Sequence, residues 1–133
     1  MALARVDYRY AAAQKETVRM VAQQSRGKRI WFTGHWGFQY YMEKAGGIQI
    51  DALAGGWQAP RPGDIVVIPT INSRILPLPR RPAADQGMVL ACPEPIPLRL
   101  IQSGGAGFFS SKFGFLPYSF ANGPLDTFRI LVW

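Results

Sequence analysis

The spacing of apolar residues marks out two helices in the first third of the chain. From Val6 to Gln24 there is no Gly or Pro, and apolar side chains recur every three or four residues, which predicts an amphipathic helix. Gly27 follows, and glycine suits the left-handed conformation beyond a helix C-terminus. His35 to Ala45 predicts a second, shorter helix, which the following pair of glycines would end.

Short apolar and β-branched segments predict the strands of a sheet. Ile65 to Pro69 is apolar throughout, as expected of a strand covered on both faces, and is the best candidate for the central strand. Prolines crowd residues 70–97 and leave room for one strand there. We expect the two C-terminal segments to pair with each other and close the sheet. In chain order the predicted strands are Arg29–Thr33, Ile48–Asp51, Ile65–Pro69, Met88–Ala91, Leu98–Gln102 and Phe128–Trp133.

The order of these elements predicts the fold class. A leading helix, then strand, helix, strand and a third strand after a turn, is typical of a sheet whose parallel strands are joined by right-handed crossovers. A chain of 133 residues is long enough for one hydrophobic core and too short for two. We therefore predict a single domain over residues 1–133, a small three-layer α/β sandwich with a parallel or mixed sheet flanked by helices.

The composition limits the classes of partner. Hydrophobic residues make up 48% of the chain, which indicates a folded protein, and no stretch approaches the roughly 18 apolar residues of a membrane span. The net charge of +7 favours anionic surfaces. Because the basic residues are scattered and not interleaved with aromatic ones, we do not expect nucleic acid as a partner. Cys92 is the single cysteine, so it predicts a buried, inert thiol rather than a disulfide.

The first candidate site is the segment from Thr33 to Tyr41, where a predicted strand passes into a predicted helix. Ligands of open α/β sheets bind at this edge. His35 and Gln39, one helical turn apart, could hydrogen-bond one ligand, and Trp36 and Tyr40 could stack on it. The alternative is that His35 caps the helix and the aromatic residues belong to the core. No metal or other cofactor is expected, because no recognised ligand spacing surrounds the single histidine.

The second candidate site lies in the glycine-rich and aromatic stretch of residues 107–118. Ser110, Ser111 and Lys112 stand there among aromatic side chains, a composition that suits contact with carbohydrate or lipid phosphate. Neither serine lies in a Gly-x-Ser-x-Gly elbow, so a nucleophilic serine is not predicted. The alternative is an aromatic-rich loop folded over the edge of the sheet.

The chain resembles the C-terminal soluble domain of multi-spanning bacterial membrane glycosyltransferases of the protein O-mannosyltransferase and aminoarabinose transferase type. The resemblance covers nearly the whole chain and is most specific in residues 31–42, WFTGHWGFQYYM. Residues 7–11 of the opening helix, Gly63-Asp64, residues 107–111 and Pro117 also carry it. It implies an extracytoplasmic (periplasmic) domain of a longer chain that uses polyprenyl-phosphate sugars, with Met1 as an internal position. The family's catalytic acids lie in an N-terminal region, so the resemblance implies no catalytic residue here.

These observations lead to one principal hypothesis and two alternatives. The principal one is a non-catalytic accessory domain that binds a sugar, a lipid phosphate or a protein acceptor, and that membrane spans outside this sequence hold at the bilayer. A small enzyme is the first alternative, with His35 as general acid or base oriented by Asp64 or Glu43. The second is a protein-interaction module that uses the aromatic residues of 108–118. The predicted ligand-binding residues are His35, Trp36, Gln39, Tyr40, Asp64, Ser110, Ser111 and Lys112.

Overall fold

The computed structural model describes residues 1–72, 75–79, 88–99, 107–110, 114–116 and 118–133; for 107–110 and 114–116 it gives the backbone alone. Helix α1 is Ala2–Gln24 and helix α2 is Trp36–Lys44. Helix α1 begins four residues before the predicted start because the residues ahead of Val6 are also good helix formers. Its buried stripe is Val6, Tyr10, Gln14, Thr17, Val18 and Val21.

The strands of the described chain are short. In chain order they are β1 (Ile30–Phe32), β2 (Ile48–Gln49), β3 (Ile65–Pro69), β4 (Met88–Ala91), β5 (Leu98–Arg99), β6 (Gly107–Ser110), β7 (Gly114–Leu116), β8 (Ser119–Phe120) and β9 (Thr127–Val132). Five of them form the main sheet in the order β2-β1-β3-β9-β4. Strand β1 is parallel to β2 and β3, whereas β9 is antiparallel to β3 and β4. The predicted α/β class with a mixed sheet and flanking helices is confirmed.

Strand β3 occupies the centre of the main sheet, as its apolar sequence predicted. All five of its residues are buried, and both of its neighbours in the sheet come from distant parts of the chain. Met88–Ala91 is also a strand, at the edge of the sheet, where three of its four residues are exposed.

The predicted pairing of the two C-terminal strands is wrong. Strand β5 pairs with β8 in a separate two-stranded sheet, and β9 lies between β3 and β4. The reason is the character of the side chains. Phe128 and Leu131 of β9 enter the cores on opposite faces of the main sheet, whereas Arg99 of β5 is buried through bonds to the carbonyls of Ile96, Leu98 and Gly123. A buried guanidinium needs such acceptors, which the interior of an apolar sheet does not offer.

The two faces of the main sheet are covered differently. Both helices pack on one face, where Val21 of α1 and Phe38 and Met42 of α2 meet Phe32 and Val67 of the sheet. On the other face, Trp31 and Val66 are covered by irregular chain, namely a short 3-10 helix at 56–58 and the segment 75–79. The third layer of the sandwich is therefore built without an α-helix in the part of the chain that the structure describes.

Candidate functional site

Helix α2 begins at the carboxyl edge of the parallel strands, because the chain turns sharply after β1. The Thr33 amide still donates to the Val67 carbonyl at 3.2 Å, and Gly34 then adopts a φ of 110°. A Cβ atom on Gly34 would lie 3.0 Å from Cγ of Pro69 and 3.3 Å from Phe38. Glycine is thus required here twice, for its positive φ and for the close approach of β3.

Two polar side chains fix this turn from neighbouring segments. Oδ1 of Asn72, in the loop after β3, accepts a hydrogen bond from the His35 amide at 2.7 Å. Nε2 of Gln49, in β2, donates to the Gly34 carbonyl at 2.8 Å. Neither residue was predicted from the sequence. Their positions in the sequence could have indicated this contact, because each polar side chain stands at or just after the end of a strand parallel to β1, and such strand ends share one edge of the sheet.

Three polar residues form a row along α2 at intervals of four residues, which we call the polar row: His35, Gln39 and Glu43. Nδ1 of His35 is bonded to Oε1 of Gln39, and Nε2 of Gln39 donates to Oε1 of Glu43 at 2.7 Å. His35 and Gln39 are half-buried and Glu43 is exposed. His35 occupies the N-cap position, yet its side chain makes no capping bond and is committed to this row instead.

A second row on α2 consists of two aromatic residues, Trp36 and Tyr40, followed one turn later by Lys44. Trp36 and Tyr40 are each 58% exposed, and Nζ of Lys44 lies 5.7 Å from the centre of the Tyr40 ring. Trp36 has a φ of 56°, the one non-glycine residue with a positive φ among those described. A bulky residue in this conformation is uncommon and costs roughly 1 kcal/mol or more. The alternative that Trp36, Phe38 and Tyr41 belong to the core fits the buried Phe38 and the partly buried Tyr41, but not Trp36.

Asp64 lies at the opposite edge of the sheet from His35. It precedes β3, whereas His35 follows β1, and these strands are parallel. Its carboxylate accepts bonds from Nε1 of Trp31 at 2.8 Å, Nη2 of Arg29 at 2.9 Å and the Arg61 amide at 2.9 Å. Burial acts to raise the pKa of Asp64, but these donors outweigh it and lower that pKa below its ordinary value. Asp64 therefore holds Arg29, Trp31 and the Arg61 amide together at its own edge of the sheet, and it does not lie beside His35.

The second candidate site is described only in part. Ser110 is the last residue of β6, and β6 pairs with β7 in the antiparallel direction. Ser111 and Lys112 lie outside the described residues. The aromatic neighbours that the structure does describe, Tyr118 and Phe120, are exposed and pack edge to face with ring centres 5.8 Å apart.

Asp126, which was not predicted from the sequence, is a buried carboxylate near the same edge as His35. It stands just before β9, and its Oδ1 accepts bonds from the amides of Thr70, Ile71 and Thr127 at 2.7 to 3.1 Å. Its Oδ2 has no hydrogen-bond partner among the described residues. Burial raises the pKa of Asp126 to about 6, although the three amide bonds act to lower it. Helix α1 covers the neighbouring loop, where the Tyr10 hydroxyl donates to the Ile71 carbonyl.

Two further features of the described chain lie away from the polar row. A groove between α1 and β4 is lined by apolar residues such as Ala12, Met20 and Leu90, with Cys92 beside them. Burial raises the pKa of the half-buried Cys92 thiol, which favours the inert, protonated form. Over the described residues, no three potential metal-binding side chains come together, and no helix has the length and apolar character needed to cross a bilayer.

The site is therefore a surface on α2 with two aromatic faces and a hydrogen-bonded polar row beside them. Helix α2 and its N-cap bring together His35, Trp36, Gln39 and Tyr40, with Glu43 in addition. Comparison with known proteins gives no relative for this chain, since no family model, no curated protein and no solved structure matches it.

Proposed function

We propose that this chain is a non-catalytic, carbohydrate-binding accessory domain, and that α2 holds the sugar. The observation that carries the proposal is the pair of exposed aromatic rings, Trp36 and Tyr40, beside the polar row on the same helix. Aromatic rings cover the apolar C–H faces of a sugar, while amide, imidazole and carboxylate groups bond its hydroxyls. Such a combination fits a sugar better than a purely apolar or purely anionic ligand.

The conformation of Trp36 supports a binding role. Its positive φ costs free energy, and its indole is largely exposed, so the core does not repay that cost. Strain of this kind concentrates where a side chain must point in a particular direction for function. We therefore infer that the exposed indole of Trp36 contacts the bound sugar.

The resemblance to membrane glycosyltransferases supplies the context of the proposal. It implies that the domain works at the extracytoplasmic face of a membrane, beside an enzyme that uses lipid-linked sugars. The net charge of +7 is favourable there, because basic proteins are attracted to anionic lipid surfaces. In this arrangement α2 would hold the sugar of a donor or an acceptor, and the chemistry would take place on another part of the longer chain.

The test is a titration of the ¹⁵N-labelled protein with methyl glycosides of mannose and 4-amino-4-deoxyarabinose and with their oligosaccharides, followed by NMR. We expect the indole N–H signal of Trp36 to shift, and the signals of the other three tryptophans to stay in place. Trp36→Gly should abolish binding while the free energy of unfolding stays within about 1 kcal/mol, because glycine relieves the positive φ.

A matched control separates loss of the site from loss of any exposed aromatic ring. Tyr8 is 75% exposed on α1, away from the polar row, so Tyr8→Ser should leave binding unchanged, whereas Tyr40→Ser should weaken it. The proposal fails if no sugar moves the Trp36 signal, or if Tyr8→Ser weakens binding as much as Tyr40→Ser does.

A further inference from the structure

The bonds of the polar row run in one direction, which follows from what each group can donate. The Glu43 carboxylate only accepts hydrogen bonds, so the atom of Gln39 that lies 2.7 Å from it must be the amide nitrogen. The amide oxygen of Gln39 then faces His35, and an amide oxygen also only accepts. Nδ1 of His35 must therefore carry the proton of that bond.

This assignment decides what His35 offers to a ligand. In a neutral imidazole one nitrogen carries a proton and the other a lone pair, so a proton on Nδ1 leaves the lone pair on Nε2. Nε2 has no hydrogen-bond partner among the described residues, and the imidazole is half-buried beside Trp36, with ring centres 6.4 Å apart. The site thus presents an acceptor, and not a donor, next to an aromatic face.

We propose that Nε2 of His35 accepts a hydrogen bond from a ligand hydroxyl, so that the site takes the sugar and not the phosphate of a lipid-linked sugar. This inference rests on the proposed function and deepens it by naming the part of the ligand that binds. The ionised phosphodiester of a lipid-linked sugar has only acceptor oxygens and would meet the Nε2 lone pair without a proton between them. A sugar hydroxyl supplies that proton while its ring lies against Trp36.

The protonation of His35 is measured directly on the free protein. With ¹⁵N-labelled imidazole at about pH 8.5, where histidine is ordinarily neutral, the ring nitrogen shifts distinguish a protonated nitrogen from one with a lone pair. We expect the proton on Nδ1. In Glu43→Gln the new amide can donate to Gln39, which frees the Gln39 amide to turn, and we expect the proton to be shared between the two nitrogens. Glu16→Gln, at an exposed glutamate of α1, is the matched control and should change nothing.

Ligand selectivity is measured by titration at the same pH with methyl mannoside, its four monodeoxy analogues and dimethyl phosphate, a phosphodiester that has no hydrogen-bond donor. One monodeoxy analogue should bind about tenfold more weakly than the parent sugar, and His35→Ala should reduce that difference to less than about twofold. Dimethyl phosphate should neither bind to α2 nor compete with the sugar.

The outcomes separate this inference from the proposed function. A proton on Nε2 in the parent protein, or competition by dimethyl phosphate with sugar binding retained, would overturn the inference and leave carbohydrate binding standing. Loss of the tenfold difference in His35→Ala with the proton on Nδ1 supports it. Absence of binding by any sugar overturns both, even where the proton is found on Nδ1.

Discussion

The backbone amide of His35 is hydrogen-bonded to Oδ1 of Asn72 at 2.7 Å, across 37 residues of sequence. The bond joins the two chain segments that leave the parallel strands β1 and β3 at the same edge. Because the His35 side chain does not cap α2, the position of the first turn of the helix depends on this bond and on the contact of Gln49 with the Gly34 carbonyl.

Replacement of Asn72 by alanine should therefore loosen the start of α2. The His35 amide would lose its acceptor, and we expect the free energy of unfolding to fall by about 1 to 2 kcal/mol. Sugar binding at α2 should weaken as well, because Trp36 follows directly. Chemical denaturation and the NMR titration measure the two effects. Asn122→Ala, at an exposed position, is the control, and an equal loss in both variants would contradict the role given to Asn72.

The requirement for glycine at position 34 can be separated into strain and collision. Gly34→Ala adds a strained positive φ and a Cβ 3.0 Å from Pro69, whereas Gly27→Ala adds the strain at a φ of 81° with nothing within 4 Å. We expect a loss of about 1 kcal/mol for Gly27→Ala and a loss larger by about 1 kcal/mol or more for Gly34→Ala. Equal losses in thermal or urea unfolding would show that the approach of Pro69 costs nothing.

The buried Asp126 should make the protein more stable as the pH falls toward 4. Its pKa is raised to about 6 in the folded state, so the native chain binds the proton more tightly than the unfolded chain does. The free energy of unfolding should then fall as the pH rises from about 4 to 6, by up to about 3 kcal/mol. Asp126→Asn removes this titration. The difference between the free energies of unfolding of the parent protein and the variant should therefore change with pH, and a difference that stays constant would refute the raised pKa of Asp126.

The hydrogen bonds to the Asp64 carboxylate should matter for stability and not for sugar binding. Asp64→Ala leaves the buried indole N–H of Trp31 and the Arg61 amide without their acceptor, which should lower the free energy of unfolding by about 2 kcal/mol. Since the pKa of Asp64 is lowered by folding, its stabilising effect is present above its ordinary pKa and disappears on acidification. Asp7→Ala, on the exposed face of α1, is the control. Loss of sugar binding in a folded Asp64→Ala protein would contradict the separation of the two edges.

Much of the fold could be predicted because it depends on residues that are close together in the sequence. The stripe that α1 buries follows the helical period, and the run of five apolar residues in β3 marks a strand with both faces covered. The passage from β1 through Gly34 into α2 was visible as a strand, a glycine and a polar and aromatic helix start. The four residues His35, Trp36, Gln39 and Tyr40 could be grouped because helical spacing alone brings positions one turn apart to the same side.

What only the tertiary structure decided depends on contacts between distant residues. Strand β9 lies between β3 and β4 because Phe128 and Leu131 fill opposite cores, a choice made by the whole set of strands and not by β9 itself. Asp64 and His35 are both next to strands, yet the parallel order of β1 and β3 sends them to opposite edges. Asp126 meets the amides of Thr70 and Ile71 across more than 50 residues. Local periodicity determines which face of an element is apolar, whereas its neighbours are selected by long-range packing and by the need of every buried polar group for a partner.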